Sequence, residues 1–554
     1  MYKPILLKNF LFTGFFSLLA LTSVLFGGTF WLTGCFYETN DDIILTLLIS
    51  GFSGGEPISD LTLYLHGISV LISKLYQNLP GVPWYGFSLY SLLFIITILA
   101  FRFMYQVLKP MVEPRVIYGI ILLFYLANWY EHVFWFNYSR LAILLAGVAS
   151  LNAWLDLRLH HSGIKKRLLA YGSLFFLALC LRPSFAVFGI GLTLPFLLLN
   201  KQFYRVSFKR TAYLLLPFLL AGVFFSAWLK IKSTPAQTNY RHLDVQKSQI
   251  LDYNWCCPLP SKPNEKLLYT GLSNWFLADK NIQNFLQQQR PDGKYFQKEV
   301  LVFKFQQFLP ELIRSQFLII ILLAAHIVWL IRSKATNNLF RLFSYHFYFW
   351  SLLFATGILL KTPPRVLTPA ISLLLLMHLT FPLPFSKSIK WPLLFKFCGL
   401  LLLVLPIYRI NHRANWQQQR QKQSEAVIAA IQNNFPHYVI VTAGLENELR
   451  ALSPFKNYFA RKNRLLFLTG WQTLDPHYPG YLQSLAGKTN LAGALEILSR
   501  REKVVWVSNP QMTIFLVRYF NYFYQTTFKF TLIKPVKGAS LPNNLNFYQV
   551  EKVI

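Results

Sequence analysis

The sequence has few charged residues, and acidic residues are especially scarce. Only 14% of its 554 residues are charged, whereas 54% are hydrophobic and 17% are aromatic. A soluble protein of this length has more charge and shorter apolar runs. The composition therefore excludes a soluble globular protein and indicates a polytopic membrane protein.

Cysteine is also scarce, and several catalytic motifs are absent. The five cysteines do not have the spacing of a metal site. Cys35 and the pair Cys256-Cys257 are predicted on the same side of the membrane, so a disulfide and unpaired thiols both remain open. The HExxH motif, the Gly-x-Ser-x-Gly elbow and the glycine-rich phosphate loop are missing, which argues against hydrolases and ATP-driven proteins. No cofactor is required by the sequence.

Positive charge is abundant, with 54 Lys and Arg residues against 22 Asp and Glu residues and a net charge of +32. The basic residues cluster in alternate short loops between apolar segments, as orientation signals do, so nucleic acid is not an expected partner. This alternation predicts a cytoplasmic N-terminus. The predicted inner loops contain Arg102, Lys109, Arg115, Arg158, Lys165, Lys166, Arg167, Lys201, Arg205, Lys209, Arg210, Arg332, Lys334, Arg341, Lys387 and Lys390.

About eleven apolar segments approach the length that crosses a bilayer. They predict a mainly α fold, a polytopic helix bundle over residues 1–410 that is surrounded by membrane lipids. The segments are Phe10–Leu32, Trp84–Phe101, Val116–Trp129, Arg140–Leu157, Leu168–Leu181, Ser184–Leu199, Thr211–Leu229, Gln316–Ile331, Ser344–Leu360, Val366–Phe381 and Trp391–Ile410.

Three polar parts are predicted on the extracytoplasmic side. They are a first loop at 33–83, an insertion at 230–314 and a soluble α/β domain at 411–554. In the first loop, Ile43–Phe52 and Leu61–Leu75 are expected to form two surface helices. The C-terminal part alternates strand and helix patterns, which favours a small three-layer domain with a largely parallel sheet. The predicted strands are Tyr438–Thr442, Leu465–Thr469, Val504–Ser508 and Phe528–Ile533, and the helices are Asn415–Asn434, Leu491–Glu502 and Gln511–Tyr524.

The first loop contains the candidate catalytic residues, Asp41 and Asp42. The stretch from Thr33 to Leu61 contains five acidic residues and no lysine or arginine. A carboxylate at the membrane–water boundary can take a proton from an attacking hydroxyl, and a second one can help hold a divalent cation. The alternative is an acidic loop that only enforces topology, although acidic residues contribute little to topology.

Arginine and lysine residues that depart from the orientation pattern are candidates for binding a phosphate. Arg182 follows one predicted span, and Lys361 and Arg365 lie together in another outward turn. Arginine can bind phosphate bidentately. The alternative role is snorkelling to lipid headgroups.

Other polar residues of the outward parts are candidates for binding substrate. Glu131 and His132 are predicted in an aromatic-rich outward loop, which an aromatic belt at the membrane interface would also explain. The insertion adds Arg241, Asp252, Trp275 and Asp279, for which a packed surface domain is an equal alternative.

Together these features resemble the GT-C superfamily of integral membrane glycosyltransferases over residues 1–410, with Asn40-Asp41-Asp42 as the matching acidic motif. A poorly characterised bacterial branch is similar in further short motifs. The resemblance implies a bacterial inner-membrane enzyme that uses a polyprenyl-phosphate-linked sugar, inverts the anomeric carbon and transfers to an extracytoplasmic glycan, lipid or protein. It also implies one carboxylate of the pair as base, with Asp41 favoured because family bases usually take the first position. The further motifs are Ser50-Gly51, Leu75-Tyr76, Trp84-Tyr85, Arg182-Pro183 and Pro364-Arg365-Val366.

Two other functions remain open from the sequence. A surface-polysaccharide polymerase or ligase also uses lipid-linked sugars and outward arginines, but it does not need the acidic loop. A lipid or glycan transporter would have polar groups within its spans. Here Asn128, Asn152 and His326 are limited exceptions in mostly apolar segments.

Overall fold

The chain divides into two compact units, each assembled from separate stretches of sequence. The helical unit comprises Met1–Phe36, Phe87–Ile231 and Lys304–Trp416, and the α/β unit comprises Tyr37–Gly86, Lys232–Phe303 and Gln417–Ile554. The computed structural model describes residues 4–52, 55–159, 163–199, 208–255, 260, 262–332, 336–381, 393–459, 463–533 and 545–553.

Each predicted apolar segment coincides with a helix. Several of these helices begin at a proline, whose fixed φ and missing N–H suit the first helical position. Two of these prolines, Pro183 and Pro364, directly adjoin candidate arginines. The helices are Pro4–Leu32, Trp84–Leu108, Pro114–Phe124, Tyr138–Leu159, Ile164–Leu181, Pro183–Leu199, Phe208–Lys232, Leu301–Arg332, Thr336–Leu359, Pro364–His378 and Leu393–Asn434.

Seven helices in the described ranges are long and apolar enough to cross a membrane. Pro183–Leu197 and Pro364–His378 are shorter apolar helices. The prediction of a polytopic helical protein is confirmed, and the count of eleven crossings stays a prediction. The seven are Gly14–Leu32, Trp84–Leu108, Pro114–Phe134, Tyr138–Leu159, Tyr213–Lys232, Gly293–Arg332 and Leu339–Leu359.

The core of the helical unit lies around helix Tyr138–Leu159, which is buried over nearly its whole length. Small residues allow its neighbours to approach closely. A Cβ at Gly147 would overlap the side chain of Leu373, and one at Gly189 would overlap the carbonyl oxygen of Ile143. The helices that begin beside Arg182 and Arg365 are therefore packed directly on this central helix.

The α/β unit contains a five-stranded mixed sheet. The prediction of a largely parallel sheet is wrong for its second half, because strand Asn546–Val553 was not predicted and pairs antiparallel with both of its neighbours. In sheet order the strands are Arg464–Phe467, Val439–Ala443, Val504–Ser508, Asn546–Val553 and Thr527–Ile533.

The same unit combines helices from the first loop, the insertion and the C-terminal part. Helices are found near both predicted places in the first loop, at Asn40–Ser50 and Ile68–Asn78, and the second begins later than predicted. The first is buried over most of its length, so a position on the membrane surface stays a prediction. Helix Tyr478–Ala486 was not predicted. The other helices of this unit are Pro235–Lys247, Pro263–Ser273, Lys280–Gln288, Leu491–Leu498 and Pro510–Tyr524.

Candidate functional site

The two candidate carboxylates lie in the first turn of helix Asn40–Ser50. Acidic side chains there are stabilised by the helix dipole, which gives them an ordinary structural reason to be present. The Thr39 hydroxyl donates hydrogen bonds to Asp41 Oδ2 at 3.5 Å and to Asp42 Oδ2 at 3.4 Å. Because they occupy successive positions on one turn, their side chains point in different directions.

Asp42 is fully buried, with 0% of its surface exposed. Its Oδ1 accepts a hydrogen bond from the Tyr85 hydroxyl at 2.8 Å, and the Tyr85 amide donates to the Tyr76 hydroxyl at 3.1 Å. Burial raises the pKa of Tyr76 to about 12, so this phenol stays protonated near neutral pH. The motif residues Tyr76 and Tyr85 thus serve to fix Asp42 in the interior.

Asp41 is only half-buried. Its Oδ1 accepts a hydrogen bond from Nε1 of Trp471 at 3.0 Å, a contact within the α/β unit. A carboxylate that is fixed at one oxygen and partly open to solvent can still reach a second molecule. The two neighbouring aspartates therefore differ in environment, and Asp41 is the accessible one.

Arg182 lies at the junction of helices Ile164–Leu181 and Pro183–Leu199 in an extended conformation. Its Nη1 donates hydrogen bonds to Ser139 Oγ at 2.9 Å and Tyr138 Oη at 3.3 Å, and its guanidinium lies 4.1 Å from the centre of the Phe185 ring. These groups orient the guanidinium without carrying charge. Arg182 also adjoins the N-terminus of a helix, where the dipole attracts anions.

Arg365 occupies a similar position, as the second residue of helix Pro364–His378. Its side chain is half-buried, and Lys361 is exposed in the turn before it. The helix dipole disfavours a cation at the helix N-terminus. An anion bound there is favoured both by the dipole and by the arginine. The structure thus places two candidate arginines at helix starts.

Glu131 and His132 do not lie in a loop, which corrects the prediction of an aromatic-rich outward loop. A π-helical turn at Tyr125–Trp129 carries the helix on to Phe134, because the apolar pattern continues through these residues. Both side chains are buried. Glu131 Oε1 lies 2.6 Å from Nη2 of Arg409 and 2.6 Å from Nη1 of Arg413, and His132 Nε2 lies 2.8 Å from Ser372 Oγ. In this structure they join helices to one another.

Asp279 likewise has structural partners. It is 2% exposed, caps helix Lys280–Gln288 through the Asn281 amide at 2.9 Å, and accepts hydrogen bonds from the hydroxyls of Tyr519 at 2.6 Å and Tyr524 at 2.5 Å. Its role in substrate binding was predicted from location alone. The contacts instead explain why an acidic residue is needed to tie the insertion to helix Pro510–Tyr524.

The other candidates from the insertion are half-buried. Arg241 Nη1 donates to Ser233 Oγ at 2.7 Å, and Asp252 ends a short π-helical turn. Trp275 is half-buried and has an unusual positive φ of 58°. The ammonium of Lys247 lies 5.1 Å from the centre of a Trp275 ring. Among Arg241, Asp252 and Trp275, the last is connected most directly to Asp41. The Trp275 carbonyl accepts a hydrogen bond from the amide of Gly470, and the next residue, Trp471, donates to Asp41.

Sequence reasoning missed several residues of these clusters. Trp471 was overlooked because the C-terminal part has no recognised motif, although its position just after a strand is where functional residues of α/β sheets gather. Arg409 lies at the end of the last predicted apolar segment and Arg413 just beyond it, and neither was identified as a candidate. Their i,i+4 spacing on a helix was the available signal.

The metal site and the disulfide both stay predictions. Within the described ranges, no group of three or more His, Cys, Asp or Glu residues is close enough to hold a metal ion. The divalent cation therefore stays a prediction. Cys35 is buried, and Cys256 and Cys257 lie outside the described residues.

The buried side chain of His66 predicts that the stability of the α/β unit depends on pH. Burial, aided by the Arg241 guanidinium, lowers the pKa of His66 from 6.5 to about 4. Between these values the unfolded chain binds a proton that the folded chain does not, so stability falls as pH decreases from 6.5 towards 4, by up to roughly 3 kcal/mol. We expect the melting temperature of the detergent-solubilised protein to fall over this range, and to fall less in His66→Gln. An equal fall in both proteins would contradict the assignment.

The membrane-length helices and the mixed α/β sheet together define a multi-pass membrane protein with an α/β unit. The whole chain is similar to the crystal structure of ArnT from Cupriavidus metallidurans bound to undecaprenyl phosphate, with a TM-score of 0.51 and 10% identity over 97% of this chain and 98% of that chain. No family model matches the sequence, and no curated protein is significantly similar to it. The likeness confirms the predicted fold.

Proposed function

We propose that this protein is an inverting membrane glycosyltransferase. It would move a sugar from a polyprenyl-phosphate donor to an extracytoplasmic glycan, lipid or protein, with Asp41 as general base. The observation that carries the proposal is the unlike pair of carboxylates, with a buried Asp42 beside a half-accessible Asp41 that is held at one oxygen. A fold that matches a protein bound to undecaprenyl phosphate supports the donor class.

The proposed reaction balances without a further reactant. The acceptor hydroxyl oxygen forms a bond to the anomeric carbon as its proton passes to Asp41. The bond from that carbon to the phosphate oxygen breaks, and its electron pair leaves with the lipid phosphate. Attack opposite the leaving group inverts the carbon. Asp42 would not touch the acceptor, because it is enclosed and bonded to Tyr85.

Positive charge on the donor side is assigned to Arg182 and Arg365, with Lys361 in the same role. Fixed guanidinium groups stabilise the charge that develops on a departing phosphate. The hydroxyls of Tyr138 and Ser139 hold Arg182 in one orientation, so less reorganisation is needed when the donor binds. The helix starts beside Arg182 and Arg365 add the positive end of a dipole.

On the acceptor side, the proposal assigns contacts to Arg241, Asp252 and Trp275, which are only partly buried. The N-terminus would be cytoplasmic and the α/β unit extracytoplasmic, in a bacterial inner membrane, because the basic loops alternate accordingly.

Polar groups inside the helical unit argue for an enzyme rather than a transporter. Asn152 Oδ1 accepts from Arg102 Nη1 at 2.7 Å, and the Ser372 hydroxyl donates to Asn128 Oδ1. These polar side chains form hydrogen bonds with one another inside the packed helices. A transport path would instead need polar groups directed to a substrate at mid-membrane.

The function is tested by mass spectrometry of cell-surface glycans and lipid-linked sugars. Cells without the protein should lose one sugar from a surface glycan, lipid or protein and accumulate a polyprenyl-phosphate sugar, and the wild-type gene should restore both. Unchanged surface structures would overturn the proposal. Loss of long polymers with intact single-sugar additions would indicate a polymerase or ligase, and redistribution of an unaltered glycan or lipid would indicate a transporter.

A further inference from the structure

The C-terminal part of the chain lies directly beside the proposed base. We propose that Trp471 is a positioning residue for Asp41, and that the α/β sheet is therefore a working part of the active site rather than an attached domain. The inference rests on the proposed function, because it gives a role to a residue that acts through Asp41. It adds that a residue far away in the sequence controls the orientation of the base.

The contact itself is a hydrogen bond from a buried donor. Trp471 is 7% exposed, and its Nε1 donates to Asp41 Oδ1 at 3.0 Å. Indole has one N–H and no acceptor, so this bond uses the whole polar capacity of the side chain. A hydrogen bond to an ionised carboxylate is stronger than one between neutral groups. The bond thus limits Asp41 to one rotamer and leaves Oδ2, which Thr39 contacts only at 3.5 Å, for the incoming hydroxyl.

Trp471 is itself held by the other two segments of the α/β unit. Its carbonyl accepts from the Tyr240 hydroxyl at 3.3 Å, and the Tyr64 ring lies edge-on with its centre 5.3 Å away. The amide of Gly470 donates to the Trp275 carbonyl at 2.8 Å. The first loop and the insertion therefore both fix the position of the indole.

Gly470 and Trp275, which are joined by this hydrogen bond, both have positive φ. Gly470 has φ 99°, where an added Cβ would overlap Gln472, and Trp275 has φ 58°. Positive φ is costly for a bulky residue such as tryptophan and persists only where surrounding contacts enforce it. At Gly470 a positive φ is ordinary for a glycine. At Trp275 it indicates that the surrounding contacts constrain the backbone beside this loop.

The sheet topology explains why this loop reaches the base. The loop follows strand Arg464–Phe467, and the neighbouring turn Leu445–Asn447 follows strand Val439–Ala443 and contacts helix Asn40–Ser50. Both are carboxyl ends of parallel strands, the edge at which open α/β sheets bind ligands. In this protein the helix with Asp41 occupies that edge. The edge that binds ligands elsewhere is here used to support the catalytic carboxylate.

The test is Trp471→Phe, which keeps an aromatic ring and removes the N–H. We expect kcat to fall by about 10–100-fold, since misplacement of a catalytic group by about 1 Å can cost that much, with KM for donor and acceptor changed less than about threefold. Trp506→Phe is the matched control, because Trp506 is buried in the same sheet and its Nε1 has no hydrogen-bond partner among the described residues. Its kcat should stay within about twofold of wild type.

The same substitution in the Asp41→Asn protein distinguishes a positioning role of Trp471 from general support of the fold. In Asp41→Asn, the further change Trp471→Phe should leave the residual rate unchanged, because the indole has no base to orient. An equal proportional loss in both backgrounds would overturn the inference. If Trp471→Phe does not fold, the benzothienyl analogue of tryptophan at position 471 has the same shape without the N–H, and full activity of that protein would also overturn it.

Different results would refute the assignment of Asp41 as the base and the positioning role of Trp471. Full activity of Asp41→Asn would remove the proposed base, and the role of Trp471 would be lost with it. An inactive Asp41→Asn protein together with a fully active Trp471→Phe protein would leave the proposed function intact and refute only the positioning role.

Discussion

Asp41→Asn is expected to lower kcat by about 10²–10⁴-fold, the usual contribution of a general base. The amide has nearly the same shape and can still accept the hydrogen bond from Trp471, but it cannot take the acceptor proton. KM should change little, because the loss affects the transition state more than binding. Initial rates with a polyprenyl-phosphate sugar, measured by mass spectrometry of the product, check this expectation.

Two further variants make the result specific to Asp41. Glu56→Gln removes an exposed acidic residue from the same loop and should leave the rate unchanged. Asp42→Asn should reduce the rate less than Asp41→Asn, because Asp42 is enclosed and bonded to Tyr85. A normal rate in Asp41→Asn would refute the base assignment, and a larger loss in Asp42→Asn would exchange the two roles.

Arg182→Gln and Arg365→Gln are each expected to raise KM for the donor by about 10–100-fold. A hydrogen bond to a charged group contributes roughly 1.5–3 kcal/mol, and its loss leaves the phosphate without that partner. Arg182→Lys should recover only part of the affinity, because lysine keeps the charge and cannot bind bidentately. Donor titration at saturating acceptor gives the measurement.

The matched control for these arginines is Arg158→Gln. Arg158 lies in the last turn of helix Tyr138–Leu159, at the end opposite to the residues that hold Arg182. Its loss should not alter KM for the donor. Unchanged donor KM in both Arg182→Gln and Arg365→Gln would show that the phosphate is bound elsewhere. Arg409 and Arg413, which lie beside Glu131, would then be the next candidates for binding the phosphate.

The sequence allowed the helices to be predicted well and the contacts of the site poorly. Long apolar runs have few alternatives to a helix in a membrane, so each predicted segment overlaps a helix. Helices Leu301–Arg332 and Leu393–Asn434 extend well beyond the predicted bounds. The loop predicted around Glu131 was wrong because aromatic residues suit a membrane interface and a packed helix equally. The antiparallel half of the sheet was missed because strand Asn546–Val553 was not recognised.

The sequence by itself determined that the protein is a multi-pass helical membrane protein with a C-terminal α/β part, because composition and periodicity are local properties. It also placed Asp41 and Asp42 together at a helix start. Only the tertiary structure decided which aspartate is accessible, and that Trp471 and Tyr85 hold them. Those contacts join residues 430 and 43 positions apart, and no local pattern records such pairs.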